Sequence, residues 1–505
     1  MALTFIREDN VPTYLCLSTD IVEQKIEGAS LVGKTVLATD TGNWYVIEKD
    51  LTLSVYSLPI NLSSEITIGA VDQGTAGIDP WLVEASQASG EIFDSNISSV
   101  DSSVIVNTQF ADGATVDAFS RARVSLPNTT FNSNFIYDLQ SLVFEQIVAN
   151  NGTITHMPLV SSARLLTDVA DGSRAVLTSR EYFRYVPAKS QLVALTQVFG
   201  AATTNVVKRA GYYDGNNGIF FEQNGATDIA VVIRTSTSGS PSDRRVVQAD
   251  WNIDKMDGTG KSGITLDLTR ASILILDFQW LGMGRVRIGF DIDGQILYVH
   301  EFLNANVLTV PYMQTGTLPI RWEIVNTGVS AGSTLYATCS AVLSEGGSVE
   351  TGSYTFAISN PSAISASTSR TPLIAIRPKA LYNGKTNRIT INLENFSAIA
   401  GSNDVLFELV YGSDLTVTGD WTSANDESAV EYHTVITGTT GGYVIENEFS
   451  GSSNTVRGTI GSSIRGRLPI VLDFNGANPK TIVLCARSLA STSSCLGSLA
   501  WSEFR

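Results

Sequence analysis

The chain has 505 residues, 43 % of them apolar and only 16 % charged, against roughly 25 % charged in an average globular protein. Its 33 Lys and Arg against 49 Asp and Glu give a formal net charge of −16, and no basic run occurs, which argues against gripping phosphate backbones or an anionic membrane surface. With so few charges the polar surface falls to Ser, Thr, Asn and Gly, a mix that suits sheets and turns better than helices.

Residues 1–60 read as a small β module. Lys34–Thr39 and Trp44–Ile47 are β-prone runs flanking Asp40-Thr41-Gly42-Asn43, a hairpin signal, and Leu51, Leu53 and Val55 alternate as a further strand. Residues 61–159 read as a connector, punctuated by Ala, Ser, Gly and Asp up to about residue 110, followed by a second small β module that begins near Thr115. The pattern from Phe135 to Val148 fits a helix or strands equally well.

From 160 to 375 the chain is dense in strand signals. Ile229–Ile233 and Ile273–Trp280 are apolar runs bounded by Gly and Ser, and Val286, Ile288 and Phe290 alternate before Asp291-Ile292-Asp293-Gly294 turns the chain into Ile296–His300. Strand, tight turn and strand at short intervals predict a jelly-roll or lectin-like sandwich. Residues 376–505 repeat the style, with strand-like runs at Val405–Val410, Tyr443–Ile445, Leu468–Phe474 and Thr481–Leu484, and predict a second β-sandwich. The expected fold class is therefore all-β, with tandem β modules, a central jelly-roll or lectin-like sandwich and a C-terminal sandwich. Long amphipathic helices and any run of about 18 apolar residues are missing from the sequence.

Several motifs imitate catalytic sites. Gly28-Ala29-Ser30-Leu31-Val32-Gly33-Lys34-Thr35 fits the P-loop letters, yet that loop needs a helix opening at the Lys, and Lys34 opens a β-prone run instead. Gly328-Val329-Ser330-Ala331-Gly332 matches a nucleophile elbow, but Ser333 to Leu343 alternates like a strand. His300-Glu301 lacks a second His at Asn304, and the three His and four scattered Cys fit no metal spacing. Cys485 and Cys495 can face each other across a hairpin, although reduced, buried thiols matured in a reducing cytoplasm are the expectation. Asp254 with Asp257, and Asp291 with Asp293, are carboxylate pairs of the kind a glycosidase or a structural cation uses, but they stand beside Gly as turn residues do, and the twelve-residue calcium pattern is absent. No catalytic, metal or cofactor-binding residue is assigned. The candidate ligand-facing loop is Tyr212, Tyr213, Asp214, Asn216 and Asn217, where aromatic faces and amides combine as sugar-binding loops do; a plain hairpin turn reads the same way.

Ala38–Ile47, Ala118–Ser125 with Phe131, and above all Gly211–Glu222, Trp251–Gly258, Trp280–Arg287 and Leu318–Glu323, with Arg467–Ile470 and Trp501–Arg505, resemble a family of virion structural or fibre-like proteins of tailed phages. The resemblance implies a virion location and a β-sandwich core, and carries no known catalytic residue. Its implied partners are other virion proteins, copies of the same chain in a homotrimer, and a host surface glycan; nucleic acid and membrane insertion are not expected. Three functions are compatible with it: a fibre or spike subunit attaching to the host, a purely architectural head, neck or tail decoration protein, or a polysaccharide depolymerase.

Overall fold

The computed structural model describes five strands within residues 1–55 and residues 115–505 apart from 124–126, 227, 347–351, 460–467 and 469. The chain divides into two compact units, Met1–Val104 and Ile105–Arg505. In the first, Thr4–Arg7, Thr13–Cys16, Thr35–Ala38, Trp44–Ile47 and Leu53–Val55 form one sheet in chain order. The hairpin expected around residue 40 is present, with Leu37 opposite Trp44 and Thr35 opposite Val46. Thr35, the last letter of the P-loop pattern, opens a strand rather than a helix; residues 28–34 and the expected connector at 61–110 lie outside the described residues.

The second unit holds two antiparallel sandwiches. In the larger, one sheet runs from edge to edge Ser242–Val247, Asp228–Thr235, Gly218–Asn224, Val206–Tyr213, Ile320–Asn326, Arg174–Ser179 and Phe144–Ala149. The facing sheet runs Gln295–Phe302, Val286–Ile292, Ser272–Phe278, Gln191–Val198, Ser333–Ser344, Ser162–Thr167 and Thr153–Met157, with Asn128–Asn134 added beside Ser333–Ser344. In the smaller sandwich, Ser353–Ser359, Ser493–Phe504, Thr390–Ile399 and Thr455–Thr459 face a sheet built on Thr371–Pro378, Ile482–Ser488 and Val405–Tyr411. The chain is thus all-β, and among the described residues the only helical turns are the short Pro158–Val160 and Gln248–Asp250. None is long and apolar enough to cross a membrane.

The strand pairing draws the sandwich boundaries differently from the sequence. Residues 128–159 contribute strands to both sheets of the central sandwich, and Thr371–Pro378 is a central strand of the C-terminal one. The break falls between Ser344 and Ser353. The ambiguous stretch at 135–148 resolves as a turn followed by the edge strand Phe144–Ala149, and among the described residues of 468–474 the pairing is the isolated bridge Leu472 to Pro479.

Trp322 centres the larger core, fully buried against the rings of Phe135 and Phe144 at 6.2 and 6.1 Å. The run at 229–233 is continuously apolar because both of its faces are covered. Val231 and Ile233 enter the core, while Ala230 and Val232 pack with Tyr213 and Phe220 on the opposite face. Outside the second sheet, Val116 and Ala122 pair to close a short strap. Buried Asp277 pins it. Its carboxylate accepts from Arg287 (2.6 Å), Arg123 (2.8 Å), Tyr298 (2.8 Å) and Ser190 (2.9 Å). Arg287 in turn donates to the Val116 carbonyl at 2.7 Å, and Ser190 Oγ accepts from Ala118 N. The charge is tolerated at full burial because both carboxylate oxygens are hydrogen-bonded and two cations face it.

Candidate functional site: a cleft between the sandwiches

The turn at 214–217 joins Val206–Tyr213 to Gly218–Asn224. Asp214 Oδ1 accepts the N–H groups of Asn216 (2.7 Å) and Asn217 (2.8 Å), an Asx turn that fixes the loop locally. Asn217 is buried, and its Oδ1 accepts from Gln314 N (3.0 Å) and Ser236 N (3.3 Å), which staples the loop to its neighbours. Gly218 is required here: a Cβ would collide with that of Tyr213.

Of the five residues singled out from sequence, Asp214, Asn216 and Asn217 line a cleft and the two tyrosines do not. Consecutive strand residues point to opposite faces, and both faces are covered at this place. Tyr212 lies in the sandwich core. Its hydroxyl oxygen is 2.7 Å from the Phe183 carbonyl and 3.0 Å from that of Gly316, and accepts from Leu318 N and Gln191 Nε2. Tyr213 lies on the other face beneath the Arg321 guanidinium, 4.8 Å from its ring. Burial pushes both phenols above their ordinary range. Their contribution is to hold the wall rather than to meet a ligand.

The cleft has a volume of about 620 Å³. Its first wall carries Arg184, Asp214, Asn216, Gln314 and Thr317 from the central sandwich. The opposite wall comes from the C-terminal sandwich: Tyr382 and Lys385 on a tight hairpin turning through Asn383 (φ 49°) and Gly384 (φ 75°), then Arg388, Phe474, Asn475, Phe504 and Arg505. No sequence signal pointed to this second wall, since its residues become neighbours of the 214–217 loop only when the sandwiches dock.

Docking is carried by arginines lying on aromatic rings. Arg388 sits 4.1 Å over the Tyr182 ring while donating to the carbonyls of Asp473 (2.8 Å) and Phe474 (2.9 Å). Arg321 is clamped between Tyr213 and Phe474, and Arg184 lies over Phe504. The Phe474 N–H donates to Glu145 at 3.0 Å. Beside the cleft, a small void of about 20 Å³, room for one water, is lined by Glu181, Asn387 and Ile470. Burial pushes the Glu181 carboxyl up to about 8.

The remaining motifs fall into structural roles. Asp254 accepts from Met256 N and Ser262 N, and Asp257 from Thr259 N, as turn residues. Asp293 (φ 54°) and Gly294 (φ 82°) make the hairpin turn that precedes Gln295–Phe302. Ser330 precedes the strand Ser333–Ser344, with no helix for an elbow. His300 Nδ1 accepts from Asn252 N, and burial, with Arg244 nearby, lowers its pKa to about 4. Cys485 and Cys495 are both buried and free, on strands of different sheets and in separate apolar clusters. Among the described residues no group of three metal-ligating side chains converges.

No protein-family model and no curated protein matches the chain. Part of it is similar to solved structures. One is a glycosyl hydrolase family protein from Mycobacterium fortuitum, at 11 % identity over 43 % of this chain and 99 % of that one, with a TM-score of 0.31. Another is a legume lectin-like domain from Entamoeba histolytica, at 11 % identity over 44 % of this chain and 100 % of that one, with a TM-score of 0.27. A third is a protein of unknown function from Shewanella oneidensis, at 8 % identity over 47 % and 93 %, with a TM-score of 0.30. At these scores they carry no argument about activity.

Proposed function

We propose that the chain is a non-enzymatic surface component of a tailed-phage particle, a fibre or spike subunit, that attaches to a host-cell glycan through the cleft between its sandwiches. The observation that carries the reading is the cleft itself. Its walls are held in place by interlocked hydrogen bonds and Arg–aromatic contacts, and they present amides, hydroxyls, cations and ring edges together. Saccharides are recognised by such planar polar groups beside aromatic carbon, and a wall already fixed in its bound form avoids the entropy of ordering it. The lining holds one carboxylate, Asp214, whereas glycoside hydrolysis ordinarily uses two, so binding without cleavage is the reading preferred. Virion location and association with other virion proteins rest on the sequence resemblance, and a homotrimer is the arrangement proposed with them.

The test is a glycan array probed with the full chain and with Asn216→Ala and Tyr382→Ala. Binding that both variants weaken supports attachment through the cleft. An array without any bound glycan, together with particle images placing the chain inside the head, neck or tail scaffold, would leave an architectural protein instead.

A further inference from the structure

The charged residues lining the cleft are Arg184, Lys385, Arg388, Arg505 and Asp214: four cations and one carboxylate in a chain whose net charge is −16. Arg184 and Arg388 also serve docking, lying over Phe504 and Tyr182. Arg505 has protein partners, Glu503 at 3.3 Å and Glu427 at 3.7 Å. Asp214 directs Oδ1 to its own turn. Arg388 is held by backbone carbonyls, with the Asp473 carboxylate near enough to feel its charge. Lys385 is exposed at the hairpin, and among the described residues no carboxylate stands within ion-pair distance of Lys385 or Arg388. The cleft lining therefore carries more cations than carboxylates, and Lys385 stands exposed among its amides.

We infer that the ligand of this cleft is an anionic saccharide, one carrying a carboxylate or a phosphate or sulfate ester, with the charge set against Lys385 and Arg388. The inference rests on the glycan reading and adds the charge of the ligand to it. A saccharide fits better than a nucleic acid. The surrounding surface of a strongly acidic protein repels a long polyanion, while a few charged sugar units confined to the cleft meet the cations alone. The neutral polar groups at the same place, Asn216, Thr317 and Asn475, match hydroxyls rather than base edges.

The experiment is calorimetric titration of the full chain and of Lys385→Gln with four probes: an oligogalacturonate, an oligosaccharide bearing a phosphate ester, a neutral galactose oligomer of the same length and a single-stranded oligonucleotide. The expected result is that one of the two anionic sugars binds at least about tenfold more tightly than the neutral oligomer and weakens with added salt. Loss of one charge-assisted hydrogen bond should cost Lys385→Gln about tenfold for that sugar, a larger loss than for the neutral oligomer. Whichever anionic sugar binds identifies the source of the charge. Equal affinity for neutral and anionic sugars, or an unaltered Lys385→Gln, would overturn the inference and leave glycan attachment standing. Preference for the oligonucleotide would overturn it in favour of nucleic acid. Binding of no sugar, on the array or here, would remove the glycan reading as well.

Discussion

Asp277→Asn removes the charge at the centre of the strap that closes the outer face of the second sheet. The carboxylate is fully buried and accepts four hydrogen bonds, two of them from the guanidinium groups of Arg287 and Arg123. Arg287, 1 % exposed, would then lose the carboxylate it meets at 2.6 Å while keeping its bond to the neutral carbonyl of Val116. Arg123 is less affected because Glu345 holds it at 3.0 Å. Breaking a buried pair by removing one partner costs about 3–5 kcal/mol. With Arg123 still held by Glu345, the expected loss lies at the lower end, about 3 kcal/mol. Denaturant titration measures it, and hydrogen exchange locates it: amides of the strap around Val116–Arg123 and of Ser272–Phe278 should exchange faster, while those of Ile482–Ser488 should not. A loss under about 1 kcal/mol, or faster exchange spread evenly over both sandwiches, would refute the assignment of Asp277 as the node of this network.

Tyr212→Phe leaves Leu318 N and Gln191 Nε2 without their acceptor in the core, a change worth about 1–3 kcal/mol, and calorimetric melting should show it together with weaker ligand binding at the cleft. Arg388→Met strips the Asp473 and Phe474 carbonyls of their donor and the Tyr182 ring of its cation; small-angle scattering should find the sandwiches hinged apart. Glu181 has a folded pKa raised to about 8 above its unfolded value near ~4.3, so the folded state binds the proton more tightly. Its contribution is fully present below the unfolded value and is lost as pH rises through about 8. Melting temperatures taken between about pH 5 and about pH 9 should fall less steeply in Glu181→Gln than in the parent, and parallel curves would place the carboxyl in contact with bulk water.

Strand periodicity at Val286–Ile292, the doubly apolar run at 229–233 and the Asp-Gly turn at 293–294 are local properties, so the all-β class and a share of the strands were legible without coordinates. The boundaries at 159 and 375 were not. An edge strand such as Phe144–Ala149 carries the same pattern wherever it pairs, and only the register against Arg174–Ser179 assigns it to the central sandwich. At the candidate site, Asp214, Asn216 and Asn217 were recognisable from turn chemistry acting over a few residues. The burial of Tyr212 and Tyr213 was decided by what covers each face of the sheet, the core on one side and Arg321 with Phe474 on the other. Lys385, Arg388 and Arg505 stand more than 160 residues away along the chain from that loop. Their charge next to Asn216 is a consequence of how two sandwiches dock, a non-local free energy that no short stretch of sequence encodes.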